Sequence, residues 1–250
     1  MIKNANGIKN MKHAGLIVYL THQYLKPYIK PGITTKELDK LAEEFIKSKE
    51  AKPSFKGLYG FPASICTSVN DEVVHGIPSD YKLLDGDIIK IDIGACYKGY
   101  HGDSAWTYVV GKANSEQTYL LKHTKEALFQ GIKQVKPGNT VNDISKAIED
   151  YANQQNLGIV KELVGHGIGK KVHEPPDVPN YTRPSSDIKL KPGMTIAIEP
   201  MLNLGGSDVK FEDKWTVKTK DGSLSAHFEH TVLVTETGYK ILTGKEEING

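Results

Sequence analysis

A chain of 250 residues with 38% hydrophobic content can bury a sizeable core, as one domain or as two half-domains sharing one. Its net charge of +2 comes with no Lys or Arg run longer than the pair Lys170 and Lys171, which excludes a protein that tracks a phosphate backbone. Two cysteines, Cys66 and Cys96, exclude a disulfide framework and fit a reducing, cytoplasmic compartment.

Near the N-terminus the apolar stretch GLIVYL, from Gly15, is far shorter than the roughly 20 residues that cross a bilayer. It meets no small-residue cleavage site, so neither a membrane span nor a signal peptide is expected. From Lys30, KPGITTKELDKLAEEFI predicts a helix. Thr34 stands three residues before Glu37, as in a capping box, and Leu38, Leu41, Ala42 and Phe45 follow at helical spacing. VVHGIP then surrounds His75. LDGDIIKIDIG reads as a Gly turn feeding a strand, with Ile89 and Ile91 on one face and Asp92 on the other. HGDSAWTYVV predicts a second strand, with Asp103 near its start.

The same order then recurs. KPGNTVNDISKAIEDYA, from Lys136, is identical to the first helix segment at 6 of 17 positions, with Thr140 and Asp143 as its box and Ile144, Ala147, Ile148 and Tyr151 as its stripe. VGHGIG around His166 answers VVHGIP. KPGMTIAIEP answers LDGDIIKIDIG and places Glu199 where the first copy has Asp92. HFEHTVLV answers HGDSAWTYVV and carries Glu229. The repeat spans approximately 30–110 and 136–240, and no Pro, Ser or Gly linker parts the copies, so a single catalytic domain over 1–250 is expected. The polar tail GKEEING is expected to fray.

Taken singly, an Asp or Glu in a short strand is a turn cap or an ion-pair partner. Independent caps have no reason to recur in step, so the repeat singles out Asp92, Asp103, His166, Glu199 and Glu229 as a set. Four carboxylates in one apolar-walled site repel one another and raise their own pKa values unless cations hold them. Two divalent ions cancel four negative charges, lower the pKa of a bridging water and polarise a carbonyl. Oxygen-rich ligation with one imidazole suits Mn, Fe(II) or Co, with zinc also compatible.

At GHGIG (His166), HGD (Asp103), IEP (Glu199) and FEHT (Glu229) the sequence resembles the methionine aminopeptidases over essentially its whole length, and within them the short bacterial type I form. It has no N-terminal zinc-finger extension, and between Glu199 and Glu229 there is no room for the large helical insertion of type II. The resemblance implies an α+β pita-bread fold, in which two pseudo-symmetric halves of antiparallel sheet line a central dinuclear metal site with helices outside. It implies that Asp92 is a bidentate ligand of one ion, that His166 and Glu199 belong to the other, and that Asp103 and Glu229 bridge both. A metal-bridged hydroxide then attacks the first peptide bond. His173 contacts the substrate carbonyl oxygen, His75 the scissile amide nitrogen, and Glu199 shuttles the proton. Phe61, Cys66 and Trp215 fall where the family places the pocket for the methionine side chain, whose thioether packs well on aromatic edges.

The implied substrates are nascent N-termini beginning with Met and a small second residue, met at the ribosome by a monomer, with no nucleic-acid motif and no membrane. Two features depart from the pattern: Val172 where a bulky aromatic is common, and HEPP in place of an acidic HEEP or HEDP. Both are expected at the pocket wall and rim. The fold is shared by Xaa-Pro aminopeptidases and prolidases, but those carry an extra N-terminal domain, for which the roughly 30 residues before the first repeat helix leave no room. A non-catalytic pita-bread binding protein is expected to lose ligands, and none is lost here.

Overall fold

The longest helix, α1 (Ala5–Leu25), contains the GLIVYL stretch, which was not expected to be helical. In the computed structural model, which describes residues 2–184 and 187–245, Asn4 caps it by accepting from the Gly7 N–H. Met11, Ala14, Val18, His22 and Leu25 recur at helical spacing and are fully buried. The frayed tail expected at the C-terminus lies, from residue 246 on, outside the described residues.

Helices α2 (Thr35–Ser48), α3 (Ser115–Ile132) and α4 (Val141–Gln154) follow. Both expected capping boxes are present. Thr34 Oγ1 accepts from the Glu37 N–H while the Glu37 carboxylate accepts from the Thr34 N–H, and Thr140 and Asp143 do the same. Caps of this kind contribute about 0.5–2 kcal/mol each. The repeat extends to the loops that brace these helices. Gly32 N–H donates to the Leu83 carbonyl and Leu83 N–H to that of Ile33, just as Gly138 donates to Leu190 and Leu190 to Asn139.

The first sheet sets β1 (Ile65–Val69) and β3 (Tyr100–Val109) on either side of β2 (Ile88–Tyr97), all antiparallel. Ile89, Ile91 and Ile93 of β2 bury one face in a core with Val18 of α1 and Leu38, Ala42 and Ile46 of α2. The second sheet contains β4 (Gly165–Gly167), β5 (Glu174–Val178), β6 (Thr195–Ile198), β9 (His230–Val234) and β10 (Tyr239–Ile241), in the order β10-β9-β6-β4-β5. Ile196 and Ile198 bury their face against Leu128 of α3 and Ile144 and Ile148 of α4. Each such side chain removed from water contributes about 1.5–3 kcal/mol. Helices thus cover one face of each sheet and leave the other face inward, the expected α+β arrangement.

The HFEHTVLV segment differs from the single strand expected. β7 (Met201–Asn203) pairs with β8 (Ser225–His227), and Phe228 and Glu229 separate β8 from β9. Pro200, which has no N–H to donate, interrupts the facing strand at the same level. Side-chain hydroxyls join β3 of the first half to the backbone of the second. Thr107 Oγ1 donates to the His227 carbonyl and accepts its N–H, Thr231 does the same for Asp103, and Ser104 Oγ donates to the Glu229 carbonyl. No helix among the described residues is long and apolar enough to cross a membrane.

Candidate metal centre and substrate cleft

Strand register brings the five residues of the repeat together. Cys66 of β1, Asp92 of β2 and Ala105 of β3 are direct partners across three strands, so all share one face. Asp103, two residues from Ala105, lies on that same face, diagonal to Asp92 and opposite Gly94. In the second half Ile198 pairs with His230 and Met201 with His227, a register unbroken across the gap. Glu199 and Glu229 therefore meet in the gap and point to the face shared by Met201 and His227. β4 adds His166 from the neighbouring strand, since Gly167 pairs with Ile196.

Asp103, His166 and Glu229 each bring a ligand atom within 4.8 Å of the others, and so do Glu199, His227 and Glu229. Asp103 and Glu229 are 3% and 2% exposed. Asp92 Oδ1, Asp103 Oδ1 and Glu229 Oε1 are buried with no hydrogen-bond partner, a state that costs about 1–3 kcal/mol per group, and more when charged. The His166 Nδ1 lies 2.9 Å from the Gly167 carbonyl, which can only accept, so the proton is on Nδ1 and the Nε2 lone pair is free, 3.5 Å from Glu199 Oε1. Unpartnered carboxylate oxygens converging with a free imidazole lone pair are donors that divalent cations fit.

The electrostatics agree. Burial raises Asp92 to about 7, with the His227 ring pulling it down and Glu199 pushing it up, and burial raises Glu199 to about 8. Burial, then the Asp92 charge for Asp103 and the Asp103 charge for Glu229, drives those two well above the carboxylate range. Burial lowers His166 to about 3 and His75 and His227 to about 4. Carboxyls raised in the folded state favour folding below their unfolded pKa near 4, and that advantage is lost as pH rises through 7 to 8. The buried imidazoles act in the opposite sense only below their unfolded value of 6.5. The metal-free protein is therefore expected to melt several degrees lower at pH 8.5 than at pH 6.5, at about 2–4 °C per kcal/mol. Divalent cations, which bind the deprotonated ligands, are expected to raise the melting temperature most at pH 8.5. Calorimetry with and without chelator tests this, and a metal-free midpoint that climbs over that window contradicts it.

The centre lies in a cleft of about 350 Å³ that Phe61, Cys66, Trp215, His75 and His173 also line. Phe61 and Trp215 meet edge to face at 5.4 Å, and burial pushes the Cys66 thiol well up, keeping it neutral. His75 has φ +59°, a conformation costly for a side-chain-bearing residue. His173 is exposed, its ring edge-on to His166 at 4.5 Å and stacked on Tyr59 at 5.7 Å. Val172 packs with Phe61 and Cys66 behind the cleft wall, and Glu174 of HEPP turns away to pair with Lys3 at 2.9 Å. Residues of the site that the sequence reading missed include Tyr59, Met201 and His227. Period-2 alternation from Glu229 back to His227 was the available signal for the last.

Fold and site together define a hydrolase-like class, in which a carboxylate-rich cation centre forms the floor of an apolar cleft. Residues 9–236 match the pattern of Metallopeptidase family M24. The chain is 55% identical over 234 residues to methionine aminopeptidase 1 of Bacillus subtilis strain 168, covering 93% of this chain and 94% of that one. The crystal structure of the methionine aminopeptidase from Rickettsia prowazekii superposes with a TM-score of 0.95 at 40% identity, covering 97% and 99% of the two chains. Prolidase from Pyrococcus furiosus superposes at 0.78 with 27% identity, and this chain covers 66% of it. The chain belongs to metallopeptidase family M24, and its fold is the pita-bread α+β fold.

Proposed function

We propose that the chain removes N-terminal methionine from polypeptides whose second residue is small, acting as a monomeric cytoplasmic enzyme whose 250 residues form one catalytic unit. The observation that carries this reading is the convergence of five metal-type donors, with buried oxygens of Asp92, Asp103 and Glu229 unpartnered, on the floor of a cleft walled by Phe61, Cys66 and Trp215. One chain assembles the whole centre, which supports the monomer, and the Thr107, Thr231 and Ser104 bonds between its halves support a single unit.

Asp92, Asp103, His166, Glu199 and Glu229 would hold two divalent ions, with Mn, Co, Fe(II) and Zn all compatible. Bound there, such ions supply Lewis acidity and lower the pKa of water. Glu199, whose high pKa belongs to the ion-free site, would be a carboxylate beside bound cations, where it takes a proton from the attacking water and passes it to the leaving amine. His75 lines the same cleft and would contact the scissile nitrogen. His173, open to solvent on one side, is desolvated where it meets the His166 and Tyr59 rings, which lowers its pKa and makes it a neutral donor to the carbonyl oxygen; Tyr59 Oη, 3.4 Å from its Nδ1, supports the tautomer with the proton on Nε2. The thioether of the substrate occupies the apolar wall, where an aromatic edge and a neutral thiol receive it. Cys66→Leu is expected to raise KM for methionyl peptides by about tenfold, the scale of a mismatched methylene. An unchanged KM in steady-state assays removes Cys66 from the pocket.

Chelated protein reconstituted with Mn, Co or Fe(II) and offered Met-Ala-Ser beside Ala-Pro-Ser tests the whole reading. Mass spectrometry is expected to show free methionine from the first peptide alone. Cleavage before proline alone would transfer the chain to prolidase-type specificity, and no cleavage with any of these metals would leave a binding protein.

A further inference from the structure

We propose that His227 is a sixth ligand of the centre, adding a second imidazole nitrogen beside His166 to the donors Glu199 and Glu229. The proposal deepens the reading above and rests on it. His227 is 1% exposed, and neither ring nitrogen has a hydrogen-bond partner. The other fully buried imidazole, His22, fills both nitrogens, one against the Tyr108 hydroxyl and one against the Ser104 carbonyl, and His230 takes the Thr243 hydroxyl. An unfilled imidazole in the interior is the exception that calls for a partner. His227 Nε2 stands 3.4 Å from Glu199 Oε2 without hydrogen-bond alignment, a separation that suits two donors to one cation. Its three-residue grouping with Glu199 and Glu229, within 4.8 Å, needs no movement of the backbone.

The position is also fixed. Thr107 Oγ1 donates to the His227 carbonyl at 2.7 Å and accepts its N–H at 3.0 Å, and β8 pairs His227 with Met201. The ring is therefore held on the inward face beside Glu199 and Glu229. A second nitrogen donor changes the metal preference, because imidazole favours cobalt and zinc over manganese more than carboxylate oxygen does.

Metal-free protein and the His227→Gln variant, titrated with Co(II), Zn(II) and Mn(II) by calorimetry and examined as Co(II) forms by proton NMR, test the assignment. The Co(II)-loaded wild type is expected to show two hyperfine-shifted, solvent-exchangeable imidazole N–H signals, from His166 and His227, and the variant one. Co(II) and Zn(II) affinity is expected to fall roughly tenfold or more in the variant, with a smaller change for Mn(II). A single such signal in the wild type overturns the proposal even if the variant fails to fold. Tight Co(II) binding by the wild type with that single signal leaves the five-ligand reading standing, whereas no Co(II) binding by the wild type sinks both.

Discussion

Asp103→Asn is expected to bring methionine release to background and to reduce bound metal from two equivalents to one or fewer. Asp103 stands at the middle of the donor set, diagonal to Asp92 across the β2–β3 hairpin and grouped with His166 and Glu229. Its backbone is fixed from the other half by Thr231, whose hydroxyl accepts its N–H and donates to its carbonyl, so an amide of the same shape stays in place. What changes is charge. The centre loses one of four negatives, and an NH2 group, which repels a cation, replaces one carboxylate oxygen. Affinity is expected to fall by more than about 100-fold, past the 10–100-fold typical of a group that only braces a ligand. The metal-free variant is expected to melt above the metal-free wild type at pH 8.5, because a neutral amide has no charge to bury or to set against Asp92, the two causes that lift the Asp103 carboxyl. Metal analysis, turnover and melting curves read the three effects separately. Two equivalents of metal and turnover within tenfold of wild type would remove Asp103 from the centre.

The centre was legible in the sequence to the extent that its geometry is local. A capping box is a chemistry of four consecutive residues, so Thr34 with Glu37 and Thr140 with Asp143 could be read directly, and the repeat they mark extends into the brace of Gly32 on Leu83 and Gly138 on Leu190. Asp92 and Asp103 were legible because a hairpin alternates faces at period 2. Helix α1 was not read, although its buried residues keep helical spacing. Its polar and glycine positions dilute the pattern, and its partners are distant in sequence: Gly15 packs on the Leu242 carbonyl, an approach that any Cβ there would block. Glu229 was placed in a strand that in fact breaks beside it, a consequence of Pro200 in the facing chain. His227 is marked only by its period-2 relation to Glu229, which the strand break at Phe228 and Glu229 obscures. Tyr59 owes its place over His173 to a left-handed backbone at φ +50°, which no short-range pattern in the sequence announces.

His173→Ala is expected to lower kcat by roughly 10²–10³-fold, the scale of one lost oxyanion donor, with KM changed only a few-fold and two equivalents of metal retained. The side chain lies at the mouth of the cleft, more exposed than the carboxylates, and belongs to neither group of converging donor atoms. Its contacts are two rings, His166 edge-on and Tyr59 face-on. A group so placed meets the substrate rather than the ions, and its neutral imidazole donates most strongly to an oxygen that is gaining charge, which is why the loss falls on kcat. Removing the ring also withdraws the edge that His166 packs against, so metal content distinguishes two origins of a slow enzyme. Retention of both equivalents with slow turnover locates the effect at the carbonyl oxygen. If metal is lost in parallel with activity, His173 acts by holding His166 in place, and the donor to the carbonyl oxygen must be sought in His75, whose ring faces the same cleft.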